Sequence, residues 1–255
     1  MRRKQRVPRL DCNVSAPVIR SARQRPPRKP VIVTGSERLS PHFVRVRVEG
    51  DLGEWPEPGA AAHMKVFLPE DGETAMRTYT VRSFDRAKGE VAVDFVLHPG
   101  NGPAARWARD VAAGAALELS GQARSTFAPA DGVTRYLFAG DASALPAIAT
   151  CLEALPAGTA ATVVAAIPEP ADELPLASAA ALDVRWLHAP DEDAFADAVE
   201  GVDAERAWVA CEATLMRRVR ASLLEHYARE LLSTRGYWKR GEANHPDHDT
   251  GDDVG

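Results

Sequence analysis

The chain has 255 residues and a formal net charge of −5, with 45 % hydrophobic and 26 % charged residues, a globular composition with room for two domains. No apolar run approaches the roughly 18 residues that a membrane-crossing helix needs, so membrane insertion is not expected. Arg2 and Arg3 are followed by no apolar stretch, which argues against a secretory leader. Cys12, Cys151 and Cys211 are too scattered for a C-x-x-C metal or redox pair, and they suit a reducing, cytoplasmic setting.

Charge is concentrated at the two ends. Residues 1–30 hold ten Lys or Arg and one acid, Asp11, whereas residues 242–255 hold five acids and two histidines. Both read as flexible tails, residues 1–29 basic and 241–255 acidic. The basic arm lacks interleaved aromatics, so no nucleic-acid partner is expected. His245 and His248 read as solvated tail residues rather than a metal site.

Between the tails the pattern changes once. Over residues 30–128, six short alternating or β-branched runs are separated by turn signals: 31–40, 42–50, 64–69, 77–85, 90–98 and 116–121. That spacing predicts a small antiparallel β-barrel. One helical patch, G-P-A-A-R-W-A-R-D, interrupts it, with Asn101 as the expected N-cap and Pro103 in the first turn. Over residues 134–240, apolar strands alternate with amphipathic helices: 135–140, 143–155, 161–167, 183–189, 191–200, 207–213 and 214–232. This predicts a parallel-sheet α/β domain after the barrel.

Two segments carry chemistry. In Arg77-Thr78-Tyr79-Thr80-Val81-Arg82, strand alternation sets Arg77 and Tyr79 on one face and Thr78 and Thr80 on the other. An aromatic beside a fixed cation and a hydroxyl suits a flavin: Tyr79 to stack on the ring, Thr80 near its N5, Arg77 for the pyrophosphate. Alone this motif is equally compatible with a surface aromatic on an edge strand. The second segment runs from His98 through Gly100, Gly102 and Pro103 to Ala104, Ala105 and Trp107. A glycine-rich turn opening into a helix leaves free N–H groups for an anion, and small side chains let it approach.

Together, R-x-Y-T-x-R and H-x-G-x-G-P-A-x-x-W-A resemble the flavin-binding half of ferredoxin-reductase-like flavoproteins, and within them the siderophore-interacting protein family. Further matches are S-P-H-F-V-R-V at 40–46, G-D-x-S-A-L-P-A-I at 140–148, W-V-A-x-E-A at 208–213 and G-Y-W-K-R-G at 236–241. The resemblance implies that Arg77, Tyr79, Thr80, His98, Gly102, Ala104, Ala105 and Trp107 contact FAD. It implies a second, NADH- or NADPH-binding site at Gly140, Asp141 and Ser143, with Cys211 and Glu212 at the end of a neighbouring strand. It further implies that Lys65, Arg124 and Lys239, with Arg240, receive an anionic ferric siderophore.

Three departures from the family pattern stand out. Ala142 and Ser143 replace an acid and a threonine, Cys211 replaces a glycine, and Gly121-Gln122-Ala123-Arg124 replaces a richer Gly/Pro turn. Cys211 either approaches the nicotinamide or packs as a small apolar group, and packing is the better reading. The expected activity is NAD(P)H-dependent reduction of ferric siderophores through FAD in the cytoplasm, by a monomer with no resident metal and no acid–base residue. The alternatives are a general flavin or ferric-chelate reductase and a non-catalytic binding module.

Overall fold

A computed structural model describes residues 26–70, 72–98, 102–122, 125–242, 245–246 and 249–251. The basic arm expected over residues 1–29 therefore lies mostly outside the described residues, as does Arg124.

The first half is antiparallel. Strands β1 (Arg28–Ser40) and β2 (Phe43–Gly50) pair with each other, and their alternating valines turn inward. Val31, Val33, Val44, Val46 and Val48 are all buried, as period-two alternation over a one-sided sheet requires. β3 (His63–Glu70), β4 (Glu73–Thr80), β5 (Ser83–Asp85), β6 (Glu90–Val96) and β7 (Ala116–Gln122) complete the sheet in the order β4-β3-β7-β1-β2-β6-β5. Val81 and Arg82 alone connect the two end strands, β4 and β5. The sheet thus rolls on itself, bringing the Tyr79 ring of β4 to 4.4 Å from the Phe95 ring of β6. The run expected as one strand over 77–85 is broken at this corner, so the sheet has seven strands rather than six.

Helix α1 (Pro103–Asp110) covers one mouth of the barrel through buried Ala104, Ala105 and Ala108. Asn101, the expected cap, lies outside the described residues; Gly102 holds the N-cap position and supplies no side-chain cap bond.

The second half is a parallel sheet. Its elements are β8 (Arg135–Asp141), α2 (Leu145–Glu153), β9 (Ala160–Ile167), β10 (Ala181–His188), α3 (Glu192–Glu200), β11 (Arg206–Glu212), α4 (Ala213–Leu223) and β12 (Leu232–Trp238). The strand order is β10-β9-β8-β11-β12. The helix expected over 214–232 ends at Leu223, where the stripe Met216, Val219 and Leu223 ends. Leu232, Thr234 and Gly236 are buried in alternation, so this stretch is an additional strand. Its polar Ser233 and Arg235 gave it a weak apolar signature.

The two halves share a core. Phe43, Val96 and Phe127 of the first pack with Phe138, Leu145 and Ile148 of the second. At this seam Asp172, fully buried, accepts hydrogen bonds from Ser40 Oγ (2.6 Å) and the His42 amide (3.0 Å), and its Oδ2 lies 2.7 Å from His42 Nδ1. Burial alone would raise the Asp172 carboxyl, but these hydrogen bonds and His42 together hold it below the ordinary range. Arg82 reaches across to Glu153 at 2.7 Å, and the Ala61 amide donates to Thr150 Oγ1 at 2.9 Å.

Candidate functional site

A cavity of about 480 Å³ opens where the barrel meets the carboxyl edge of the parallel sheet. The barrel contributes Arg77, Thr78, Tyr79 and Thr80 from β4, Asp94 and Val96 from β6, and His98 beyond it. The loop and first turn of α1 bring Gly102 to Ala105 to the same wall. The second half supplies Ser143, Pro146, Tyr237 and Trp238, and the C-terminal segment adds Gly241, Glu242 and His245. Both sequence segments singled out for a flavin dinucleotide thus meet in one space. The meeting follows from the barrel corner: β4 and β6 pack face to face, and α1 follows β6 directly.

The helix ends around this space are treated differently. At α1 the first-turn amides have no intrahelical partner, no side chain among the described residues caps them, and the first turn carries no acid. At β8, Asp141 turns back to accept from Ser143 N (2.9 Å), Ser143 Oγ (2.5 Å), Glu212 N (3.1 Å) and Trp238 Nε1 (2.7 Å). Burial raises the Asp141 carboxyl, and the donors from Ser143 and Trp238 oppose that rise. At α4, Glu212 accepts from Thr214 N (2.6 Å), Leu215 N (3.0 Å) and Arg240 N (3.2 Å). Burial would raise Glu212, but this set of amide donors wins and lowers it. Among the described residues the end of α1 is open to an anion, whereas those after β8 and β11 carry their own carboxylates.

Gly140, just before Asp141, is dictated by packing. A Cβ there would lie 2.5 Å from Ala144 Cβ and 2.5 Å from Ala210 O. Asp141 can bridge β8, β11 and Trp238 because this backbone approach is so close.

Within the cavity, burial pushes the Tyr79 phenol up, so the ring stays neutral, with Arg77 pulling the other way. Tyr237 is raised in the same manner. Partial desolvation in the cleft lowers His98, while the Asp141 charge opposes the shift. Asp94 is a buried carboxylate on the wall, bound through Arg45 Nε at 2.6 Å and Nη2 at 2.8 Å. Sequence reading missed it, although Arg45 and Asp94 are directly paired across β2 and β6.

Other expected residues stand elsewhere. Trp107 packs its ring 5.5 Å from Phe95 and lines a separate surface groove with Glu70 and Arg106. Cys211 is fully buried among Val209, Met216 and Val219 on the helix-covered side of the sheet. Burial raises its thiol well above the usual range, so it packs rather than reacts. Lys65 donates to Thr78 Oγ1 at 2.7 Å. Lys239 pairs with Glu242, and Arg240 Nη2 lies 3.6 Å from Glu192. The acidic tail is not wholly flexible: Asp249 is buried against Arg217 and β12.

Two family models match this chain: the siderophore-interacting FAD-binding domain over residues 69–125 and the siderophore-interacting protein over residues 133–241. These spans contain the β4 and α1 walls of the cavity and the Asp141–Trp238 side, respectively. The chain belongs to the siderophore-interacting protein family. Among family relatives, it is 28 % identical over 244 residues to the ferric vibriobactin reductase ViuB of Vibrio cholerae, covering 83 % of this chain and 89 % of that protein. It is 33 % identical over 217 residues to the mycobactin import ATP-binding/permease protein IrtA of Mycobacterium tuberculosis, covering 80 % of this chain. The match spans only 25 % of that longer protein. The crystal structure of a siderophore utilization protein from T. fusca superposes with a TM-score of 0.79 at 27 % identity, covering 87 % of this chain and 96 % of that one. A ferredoxin reductase in carbazole 1,9a-dioxygenase shares the two-part fold at 16 % identity, with a TM-score of 0.67, covering 83 % of this chain and 70 % of that one.

Proposed function

We propose that this family member reduces ferric siderophores through bound FAD, drawing electrons from NADH or NADPH and freeing ferrous iron in the cytoplasm. The observation that carries the proposal is the pairing, in one cavity, of a helix N-terminus that no described side chain caps with the half-buried Tyr79. The amides at Ala104 and Ala105 and the Arg77 guanidinium would hold the pyrophosphate. Tyr79 would lie against the isoalloxazine, with Thr80 and Tyr237 beside it. His98, kept neutral by desolvation, would act as a hydrogen-bonding ligand at the turn rather than as a base.

FAD, when bound, supplies the conversion of a two-electron donor into single electrons for iron. The chain itself holds the ring, excludes water with Val96, Pro146 and Tyr237, and leaves the cavity mouth for the chelate. Ferrous iron is less charged than ferric iron and binds oxygen chelators more weakly, so reduction itself releases the metal. The donor would dock at the carboxyl edge of β8 and β11, where such ligands bind in open α/β sheets. Asp141 and Glu212 already use the helix-end amides there, so a high KM for the donor is expected.

Lys65, Arg124 and Lys239, with Arg240, are the proposed chelate-facing cations. A second reading, a ferric-chelate reductase without siderophore selectivity, draws support from the Lys239–Glu242 pair, which cancels one of these charges. A panel of ferric hydroxamates, ferric catecholates and ferric citrate, assayed with a ferrous trap, separates the two. Selectivity for siderophores over citrate supports the first, and equal rates support the second.

A further inference from the structure

The family match ends at residue 241, yet the cavity wall does not. Glu242 and His245 line it, and His245 also lines an adjoining chamber of about 40 Å³ shared with Tyr79, Thr80 and Tyr237. The His245 side chain is only 7 % exposed. Its Nε2 lies 2.7 Å from Asp249 Oδ2, and its Nδ1 lies 3.4 Å from Glu242 Oε2. Asp249 is itself fixed, accepting from Arg217 Nη2 at 2.7 Å and Gly251 N at 3.0 Å.

The segment is sewn to β12 as well. Gly236 N donates to Asp249 O at 2.9 Å, and Thr234 Oγ1 donates to Thr250 O at 2.6 Å. A Cβ at Gly236 would stand 2.7 Å from Asp249 Oδ2 and 3.0 Å from Ala213 Cβ, so a larger residue there would push the Asp249 carboxylate away. Arg235 borders the same chamber, and its buried Nε has no hydrogen-bond partner among the described residues. A buried orphan donor and a buttressed imidazole around one small chamber point to a polar ligand there.

We propose that His245, held by the Asp249–Arg217 pair, is a flavin-contacting residue supplied by the chain beyond the family match. The proposal rests on the flavin reading of the cavity. Tyr79 and Thr80 define the ring end of that cavity, and His245 stands on the wall facing them. Its Nδ1, held by the long 3.4 Å contact with Glu242 Oε2, would exchange that contact for a hydrogen bond that orients the flavin, while Nε2 stays on Asp249. This makes the C-terminal segment part of the cofactor site. The His–Asp–Arg chain fixes the imidazole in one orientation before the cofactor arrives, so little side-chain freedom remains to be lost on binding.

The test uses the full-length protein with FAD added back after its removal. Fluorescence quenching gives the Kd, visible absorption reports the ring's surroundings, and thermal melting of the apoprotein reports the fold. His245→Ala is expected to weaken FAD binding about tenfold and to shift the visible bands, with an unchanged melting temperature. His245→Gln, which keeps a hydrogen-bonding side chain, is expected to recover most of the affinity. If the parent binds FAD and His245→Ala matches it in Kd and spectrum, this inference fails while the flavin reading stands. A loss of affinity that tracks a fall in melting temperature also overturns it, since that marks a role in folding. If the parent binds no FAD, the flavin reading fails and the inference with it.

Discussion

Tyr79 and Arg77 show how much a residue can carry on its own. Strand alternation separates Arg77 and Tyr79 from Thr78 and Thr80, yet the structure sets all four on the cavity wall. Tyr79→Ala is expected to remove a stacking platform and weaken FAD binding about tenfold, while Tyr79→Phe retains most of it; titration of the apoprotein with FAD checks both. Asp94 was illegible by the same logic, because a charge in an alternating strand reads as solvent-facing. Its burial is intelligible only through the cross-strand pair with Arg45. Asp94→Ala strands the Arg45 guanidinium and is expected to cost about 3–5 kcal/mol, measurable by denaturant unfolding. Cys211 packs as the sequence reading favoured, whereas Trp107 turns away from the cavity, because helix direction decides which side of an element a residue serves. No motif states that direction.

At the scale of elements, the informative contrast is among helix ends. The α1 end was legible because glycines and a proline lead into small side chains, and no described side chain caps it. Asp141 and Glu212 cap locally through Ser143, Thr214 and Leu215, whereas their further partners on β11, β12 and the turn beyond were not legible in the sequence. Placing a carboxylate at the open end, as in Gly102→Asp, where an added Cβ meets nothing within 4 Å, would set a negative charge against the phosphate. FAD affinity is expected to fall at least tenfold with the fold intact, as quenching and circular dichroism would record. The strand β12 was missed for an elementary reason. Arg235 and Ser233 break its apolar run, and its burial comes from the C-terminal segment laid against it.

At the scale of the molecule, the two-part plan was legible because periodicity changes from two to mixed strand and helix near residue 130. The contact between the parts was not. Ser40 and His42 on the first half and Asp172 on the second meet only in three dimensions. Because the Asp172 carboxyl is lowered in the folded state, its stabilisation is complete above the ordinary carboxylate range. It is lost as pH falls through the lowered native value. Thermal melting from pH 7 to pH 3 should therefore show an acid-side loss that Asp172→Asn reduces, the variant starting about 1–3 kcal/mol less stable at neutral pH.

The cations proposed to face the chelate belong to this scale too, since they come from both halves of the chain. Lys239→Ala is expected to lower the rate with anionic ferric chelates several-fold at low salt and to flatten its salt dependence, leaving FAD affinity unchanged. Steady-state rates across a salt series would register that change.

The most direct measurement is anaerobic. The FAD-loaded protein is mixed with NADH or NADPH, the flavin absorbance is followed, and a ferric siderophore is then added with a ferrous trap present. The account predicts bleaching by a pyridine nucleotide, recovery of the oxidised flavin spectrum on adding the chelate, and two ferrous ions trapped per flavin reoxidised. A flavin that bleaches but returns no electrons to the ferric siderophore would contradict it.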